Sequence, residues 1–338
     1  MKKSVTIQDI ANSLSMSRNT VSKALNGRNV PTKTRNAVIN AAIEMGYKSY
    51  KIASTTDTSL KQKRFAILSS RLLMSITYHS YILKGIEDSL NEYDIELVQF
   101  RITDSASFNK FKRYLSDYGV DGIICIEFFN YDYITELAEL GQILVFMDFP
   151  INNFTLKGRY DVILPESMNT IKNFCTQLIQ TGLCRTFGFV GDYMHCCSFY
   201  ERFVGMREAL FLAGLPIDLQ YSVTFSDSNP YDTESLIKAL NSMSALPDCF
   251  VAANDAIAIN LLDALTSLGK KIPDEVKIIG YDNIPDSKKT SPPLTSVNVN
   301  KTAIGRRIVS LLFERISNPT LVNQIVYVSS KVVVRSTT

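Results

Sequence analysis

Apolar and polar positions follow two different rhythms along this chain. In the N-terminal stretch, Ile7, Ile10, Ala11 and Leu14 recur at helical spacing, which predicts a short first helix over residues 6–14. Thr6 and Asp9 give it a T-x-x-D start, a variant of the capping box. Ser15-Met16 reads as a tight connection, and Ser17 as the N-cap of a second helix that turns Val21, Ala24 and Leu25 inward and stops at Asn26-Gly27. Pro31-Thr32 opens a third helix with Val38, Ala41, Ala42 and Met45 inward, ended by Gly46. From Arg64 the rhythm changes. β-rich runs at 65–70, 95–100, 122–127, 143–149, 160–165, 186–191, 220–225, 249–254 and 276–282 alternate with amphipathic stretches such as 79–93, 167–181, 200–213 and 255–268. The fold class expected is α/β: a small all-α helix-turn-helix headpiece followed by two doubly wound parallel-sheet subdomains.

Composition sharpens this division. A chain of 338 residues, 46 % hydrophobic and 20 % charged, is long enough for two or three packed domains and is not disordered in character. The net charge of +3 conceals a polarity: residues 1–64 carry twelve Lys/Arg against three acidic side chains, a net +9, leaving −6 for the remainder. A basic head on an acidic body points to a polyanion as partner of the head alone. No apolar run reaches the ~18–20 residues of a membrane span, and no apolar segment follows MKKSVTIQDIAN as in a signal peptide, so a cytoplasmic protein is expected. The six cysteines show no C-x-x-C spacing and read as free buried thiols in a reducing compartment. With only His79 and His195, no histidine-rich metal site and no histidine-based catalytic triad is expected, nor any cofactor. No G-x-G-x-x-G and no Walker-type phosphate loop follows any strand, and no catalytic constellation converges, so the chain is not expected to be an enzyme.

The head offers chemistry on one helical face. At 100° per residue, Arg18, Asn19, Ser22 and Lys23 fall on an arc away from the apolar stripe. Arg and Lys suit guanine O6/N7 and Asn suits adenine N6/N7, while the hydroxyls of Ser17, Thr20 and Thr34 suit phosphates that set register. The DNA-contacting set expected is Thr6, Ser17, Arg18, Asn19, Thr20, Ser22, Lys23, Asn26 and Thr34. In the body, ligands of such sheets bind beyond the carboxyl ends of the strands. Asp148 follows ILVFM, Asn254 follows CFVAA, Asp282 follows VKIIGY, and Arg202 lies on the helix after TFGFVG. With Tyr78, which suits the apolar face of a sugar ring, these are the expected ligand contacts. Asp148, Asn254 and Asp282 also stand where helix caps stand.

The stretch VTIQDIANSLSMSRNTVSKALNGRNVPTKTRNAVINAAIEMGY resembles the headpiece of the lactose-repressor/galactose-repressor family of bacterial transcriptional regulators. The resemblance continues through ERFVGMREAL, ANDAIAIN, PDEVKIIGYDN with SPPLTSVNVN, and GRRIVSLLFERI, and so covers essentially the whole chain. It implies base reading by Arg18, Asn19 and Lys23, a periplasmic-binding-protein-like core, and ligand contacts at Arg202, Asn254, Asp282 and near Asp148. The family's N-P-F-F segment falls on Ile76-Thr77-Tyr78-His79, a more polar version. The boundaries expected are 1–48 for the DNA-binding headpiece, 49–63 for a linker, and 64–338 for an effector-binding and dimerisation core. Within that core the N-subdomain takes about 64–162 and 296–323, and the C-subdomain about 163–295 and 324–338. In the family the linker forms a hinge helix whose leucine wedges into the minor groove. Here Ala53 is present but Thr56 stands in the leucine position, which predicts a weakly formed helix. The implied partners are a pseudo-palindromic double-stranded operator, a small effector, most simply a sugar or sugar derivative, and a second copy in a homodimer. The implied function is a ligand-controlled regulator, most simply a repressor, with effector closing the cleft and lowering operator affinity. The alternative is a sugar-binding protein without a DNA role, which shares the body fold but predicts a signal peptide and no basic head.

Overall fold

The computed structural model describes residues 5–25, 30–31, 34, 37–38, 41–42, 45, 63–73, 77–91, 93, 95–151, 156–226 and 230–338. Asn26, Gly46-Tyr47 and the linker with Ala53 and Thr56 lie outside the described residues, so the expectations placed on them stay with the sequence. The chain divides into two compact units, Met1–Gln62 and Lys63–Thr338.

In the first unit, α1 (Ile7–Ser13) begins at Thr6 with a complete capping box: Asp9 N donates to Thr6 Oγ1, and Thr6 N donates to Asp9 Oδ2 at 2.8 Å. Four residues, with Ser15 in the left-handed region at φ 53°, lead to α2 (Arg18–Leu25). Ser17 caps α2, its Oγ accepting from Thr20 N at 3.0 Å. Thr34, Ala37, Val38, Ala41 and Ala42 are helical. Ile10, Ala11, Val21, Ala24, Val38, Ala41 and Ala42 make one buried cluster, with Ile7, Leu14, Leu25 and Met45 packed at its edge. This is the apolar stripe read from the sequence, and its burial turns the remaining face of α2 to solvent.

The second unit carries two sheets. Strands β1 (Lys63–Ser69), β2 (Ile95–Arg101), β3 (Gly122–Ile126), β4 (Ile143–Met147), β5 (Arg159–Pro165) and β10 (Gln324–Val328) form a six-stranded parallel sheet in the order β10-β5-β4-β3-β1-β2. Strands β6 (Phe187–Val190), β7 (Cys249–Ala252), β8 (Lys277–Asp282), β9 (Thr295–Val299) and β11 (Ser330–Val333) form the other, in the order β11-β9-β8-β7-β6. All its pairings are parallel except β11 with β9. Every residue of β3, β4, β6 and β7 is buried, as unbroken apolar runs between two helical layers require. The helices between are α3 (Thr77–Leu90), α4 (Ser105–Tyr118), α5 (Tyr131–Glu139), α6 (Met168–Gln180), α7 (Cys197–Leu212), α8 (Thr233–Asn241), α9 (Asp255–Ser267) and α10 (Lys301–Ser317).

Three features differ from the sequence expectation. The run 220–225 is not a strand: Asp218 closes a turn by accepting from Gln220 N, and only Val223 bridges to Val190. The strands β9, β10 and β11 appear where no strand was placed. The chain changes sheet after Pro165, after Val299 and between Val328 and Ser330, later than the expected 162, 296 and 324, because β5 and β10 pair with each other in the first sheet and β9 pairs with β8 in the second. Two devices fix these elements. Arg315 on α10 is fully buried and donates to both oxygens of Asp161 and to the carbonyls of Tyr160, Leu321 and Val322, tying α10 to β5 and the approach to β10. Helices α3 and α10 meet along glycines: a Cβ on Gly85 would stand 2.3 Å from Thr302 O, and one on Gly305 2.2 Å from Ile82 O.

Candidate functional site

The loops at the carboxyl ends of both sheets enclose a cavity of about 260 Å³. Tyr78, Asp148, Arg202, Asn254 and Asp282, drawn from separate elements and spread over two hundred residues of sequence, all line it. Beside them stand Arg71, Thr77, His79, Glu127, His195, Cys196, Ser198 and Phe199.

Arg202 on α7 is nearly buried. Its guanidinium lies 3.6 Å over the Tyr281 ring, Nη1 donates to Ala253 O, and Nε has no partner. Stacking and one carbonyl hold the plane of the fork while leaving donors for a ligand. Asp282 ends β8 in the left-handed region at φ 105°, which turns its carboxylate out of the strand line. Burial pushes its pKa up to about 6, against the pull of Arg202, Lys301 and His79. Behind it, fully buried Asp255 accepts from Ile284 N at 2.9 Å and from Ser296 Oγ at 2.6 Å, and burial together with the Asp282 charge raises its pKa to about 7. Lys301 donates to Asp282 O and lies 5.6 Å from the Tyr78 ring centre. Tyr78 itself is buried and keeps its hydroxyl protonated, through burial first and then the Asp282 charge.

Two expected ligand residues serve the fold as well. Asn254 is the N-cap of α9, with Oδ1 accepting from Ile257 N at 2.9 Å and its amide nitrogen left for the cavity. Asp148 accepts from Phe149 N at 2.7 Å, from Ser198 N at 3.2 Å and from Ser198 Oγ. It caps α7 from outside, since the helix's own N-cap residue, Cys196, makes no side-chain cap bond.

The sequence reading left Glu127 out. It follows β3 as Asp148 follows β4, so the strand-end rule pointed to it. Its backbone is left-handed at φ 47°, His79 Nε2 is 3.0 Å from Oε1, and Arg71 Nε is 3.7 Å from Oε2. Burial opposes its ionisation, but His79, Arg71 and His195 outweigh this and hold its pKa below the ordinary carboxylate value. The aromatic pair Phe225 and Tyr231, 5.6 Å apart, is absent from the lining.

On the first unit, Ser17, Arg18, Asn19 and Lys23 are exposed on α2, with Thr20 and Ser22 half-exposed beside them. Thr34 lies half-exposed in the third helical stretch, and Thr6, although exposed, commits its hydroxyl to the capping box. Among the described residues no cluster of three or more His, Cys, Asp or Glu side chains is arranged to hold a metal, and no helix is long and apolar enough to cross a membrane. All six cysteines are free and buried.

A core of two α/β layers with a polar cavity at the carboxyl ends of both sheets is a binding domain of the periplasmic type, and residues 175–338 match the family described as periplasmic binding protein-like domain. The whole chain is 28 % identical to the HTH-type transcriptional regulator GalR of Streptococcus thermophilus, covering 98 % of this chain and 99 % of that protein. The same fold is seen in the transcriptional regulator CelR in complex with cellobiose, at TM-score 0.70 and 22 % identity over 99 % of this chain and 100 % of that one. It is seen also in the lac repressor dimer bound to operator and an anti-inducer, at TM-score 0.65 and 20 % identity over 99 % of each chain. Over its whole length the chain is thus similar to transcriptional regulators of the lactose-repressor/galactose-repressor kind. The proteins it resembles are transcriptional regulators rather than enzymes.

Proposed function

We propose that the protein is a cytoplasmic repressor that binds a pseudo-palindromic operator as a homodimer and loses or gains operator affinity when a sugar or sugar derivative enters the core. The observation that carries this reading is the convergence of Tyr78, Arg202, Asn254 and Asp282 on one polar cavity. Arg202 offers a planar fork of donors, Asn254 a free amide nitrogen and Asp282 a carboxylate acceptor. Vicinal hydroxyls, which both donate and accept, answer that set. On the headpiece, Arg18, Asn19 and Lys23 read base edges while Ser17, Thr20, Ser22 and Thr34 hold phosphates. The division is a headpiece over 1–48, a linker over 49–63 and an effector core beyond.

Control follows from linkage. An effector that binds one arrangement of the two halves better than the other shifts the population toward it, and the factor by which it changes operator affinity is the factor by which operator changes its own affinity. The test is retardation of the pseudo-palindrome upstream of the protein's own gene, with and without a panel of sugars. The expected result is specific retardation that one sugar changes. Retardation no stronger than on random DNA, under every condition, refutes the reading.

A further inference from the structure

The chain passes between the two sheets after Pro165, after Val299 and between Val328 and Ser330. Beside the last crossing, one side-chain bond joins the halves directly. Tyr327 on β10, a strand of the first sheet, donates its hydroxyl to Glu201 Oε1 at 2.7 Å, and Glu201 lies on α7, between β6 and β7 of the second sheet. The first turn of α7 is tied to the same half: Cys197 N donates to Phe149 O at 2.8 Å and Ser198 N to Asp148 Oδ1 at 3.2 Å. Arg202, the residue after Glu201, lines the cavity. A titratable contact between the halves therefore stands one residue from a donor of the binding site.

The setting of Glu201 does not suit an anion. Its Oε2 is buried and has no hydrogen-bond partner. The titratable and charged groups that face it are Cys197 and Arg202 on its own helix, Asp148 beyond β4, Glu166 beyond β5, and Tyr327 on β10. Glu166 accepts from Asn169 N and Thr170 N, and Asp148 from Phe149 N and Ser198 N, so both carboxylates are already committed as acceptors. Burial pushes the Glu201 pKa up to about 7, against the Tyr327 bond, with Asp148 and Glu166 adding to the rise and Arg202 opposing it. Separation of the halves would let water reach the carboxylate and return it toward its ordinary value of 4.5. The joined arrangement holds the proton more tightly, so it is favoured at low pH, loses that favour as pH rises from about 5 to about 7, and changes no further above. We propose that Glu201 and Tyr327 form a proton-controlled clasp across the hinge, which holds the two halves of the core together when Glu201 is protonated, loosens when it is ionised, and so grades by pH the equilibrium on which an effector acts. This goes beyond the repressor reading and does not depend on it.

The test is hydrogen exchange read by mass spectrometry on the ligand-free, full-length protein from pH 5 to pH 8.5, each rate divided by the intrinsic chemical rate at that pH. Peptides covering 164–172 and 322–332 report on the hinge, and a peptide covering β3 is the reference, since a general loss of stability moves both. The expected result is hinge protection that falls relative to β3 between about pH 5 and pH 7 and then levels. Glu201 is only half-buried, so water screens it, and a fall of about tenfold is expected instead of the several-hundredfold that the full rise from 4.5 to about 7 would give. Glu201→Gln keeps an acceptor for Tyr327 but cannot ionise, and its hinge protection is expected to stay level across the range. Tyr327→Phe, at a half-exposed position, removes a donor that favours the carboxylate, so its fall is expected to continue to a higher pH than in the parent. A purely structural bond would lower protection in both variants without changing its dependence on pH. Hinge protection in the parent that does not vary with pH overturns the inference. So does a Glu201→Gln protein that falls as the parent does, or, should that variant not fold, a Tyr327→Phe protein whose fall ends at the same or a lower pH.

Discussion

Asp255 lies behind the cavity, fully buried, and its titration gives a prediction with a definite sign. Burial and the neighbouring Asp282 charge raise its pKa from 3.8 to about 7. The folded protein therefore holds this proton more tightly than the unfolded chain, and the contribution of this group to stability falls as pH rises from about 4 to about 7. At ~1.4 kcal/mol per pKa unit, ionised Asp255 costs the fold about 4 kcal/mol above neutrality and about 1.6 kcal/mol at about pH 5. Asp255→Asn is nearly isosteric with the protonated acid. Its Oδ1 accepts from Ile284 N, and its Nδ2 donates to Ser296 Oγ, so the two bonds now made by the carboxylate keep their partners. The variant is expected to be more stable than the parent by an amount that grows about two- to threefold between about pH 5 and pH 8. Urea unfolding followed by far-ultraviolet circular dichroism at several pH values measures it. A difference that stays constant across that range refutes the reasoning, and so does a variant less stable than the parent at every pH.

The remaining predictions concern function and the buried ion pair. Lys23→Ala is expected to weaken operator binding and flatten its salt dependence while leaving effector affinity unchanged, both read by fluorescence anisotropy and calorimetry; unchanged operator affinity removes Lys23 from the interface. Arg202→Ala is expected to abolish the effector response while operator binding persists, and retained response excludes it from the ligand site. Arg315→Met strands Asp161 without its buried partner and is expected to cost about 3–5 kcal/mol in the same urea experiment.

What was legible in the sequence was what depends on near neighbours. The helical period of Ile10, Ala11, Val21 and Ala24 is local, and those side chains are the ones buried in the first unit. The rule that ligands sit at strand ends is almost as local, since it needs only the end of an apolar run, and all five residues it and the family resemblance selected line one cavity. Pairing is not local. The antiparallel β11 takes its direction from β9, and β10 lies beside a strand some 160 residues earlier, so neither period nor composition gives their partners or direction, although QIVYV and KVVV are β-rich runs. The same holds for His79 and Glu127, 48 positions apart in sequence and 3.0 Å apart in space. Capping was visible as a possibility at Asp148, but its service to α7, a helix beginning fifty residues later, was not.

The glycine seam between α3 and α10 has a mechanical meaning. With backbone against backbone at Gly85 and Gly305, no pliant layer of side chains lies between the two helices to absorb a sliding motion. Tyr78 and His79 sit at the start of α3 and Lys301 at the start of α10, so three cavity-side residues are mounted on one stiff strut. A push delivered to any of them by a ligand is transmitted along both helices together, and a bulkier residue in the seam would force the two helices apart and shift the residues mounted at their starts.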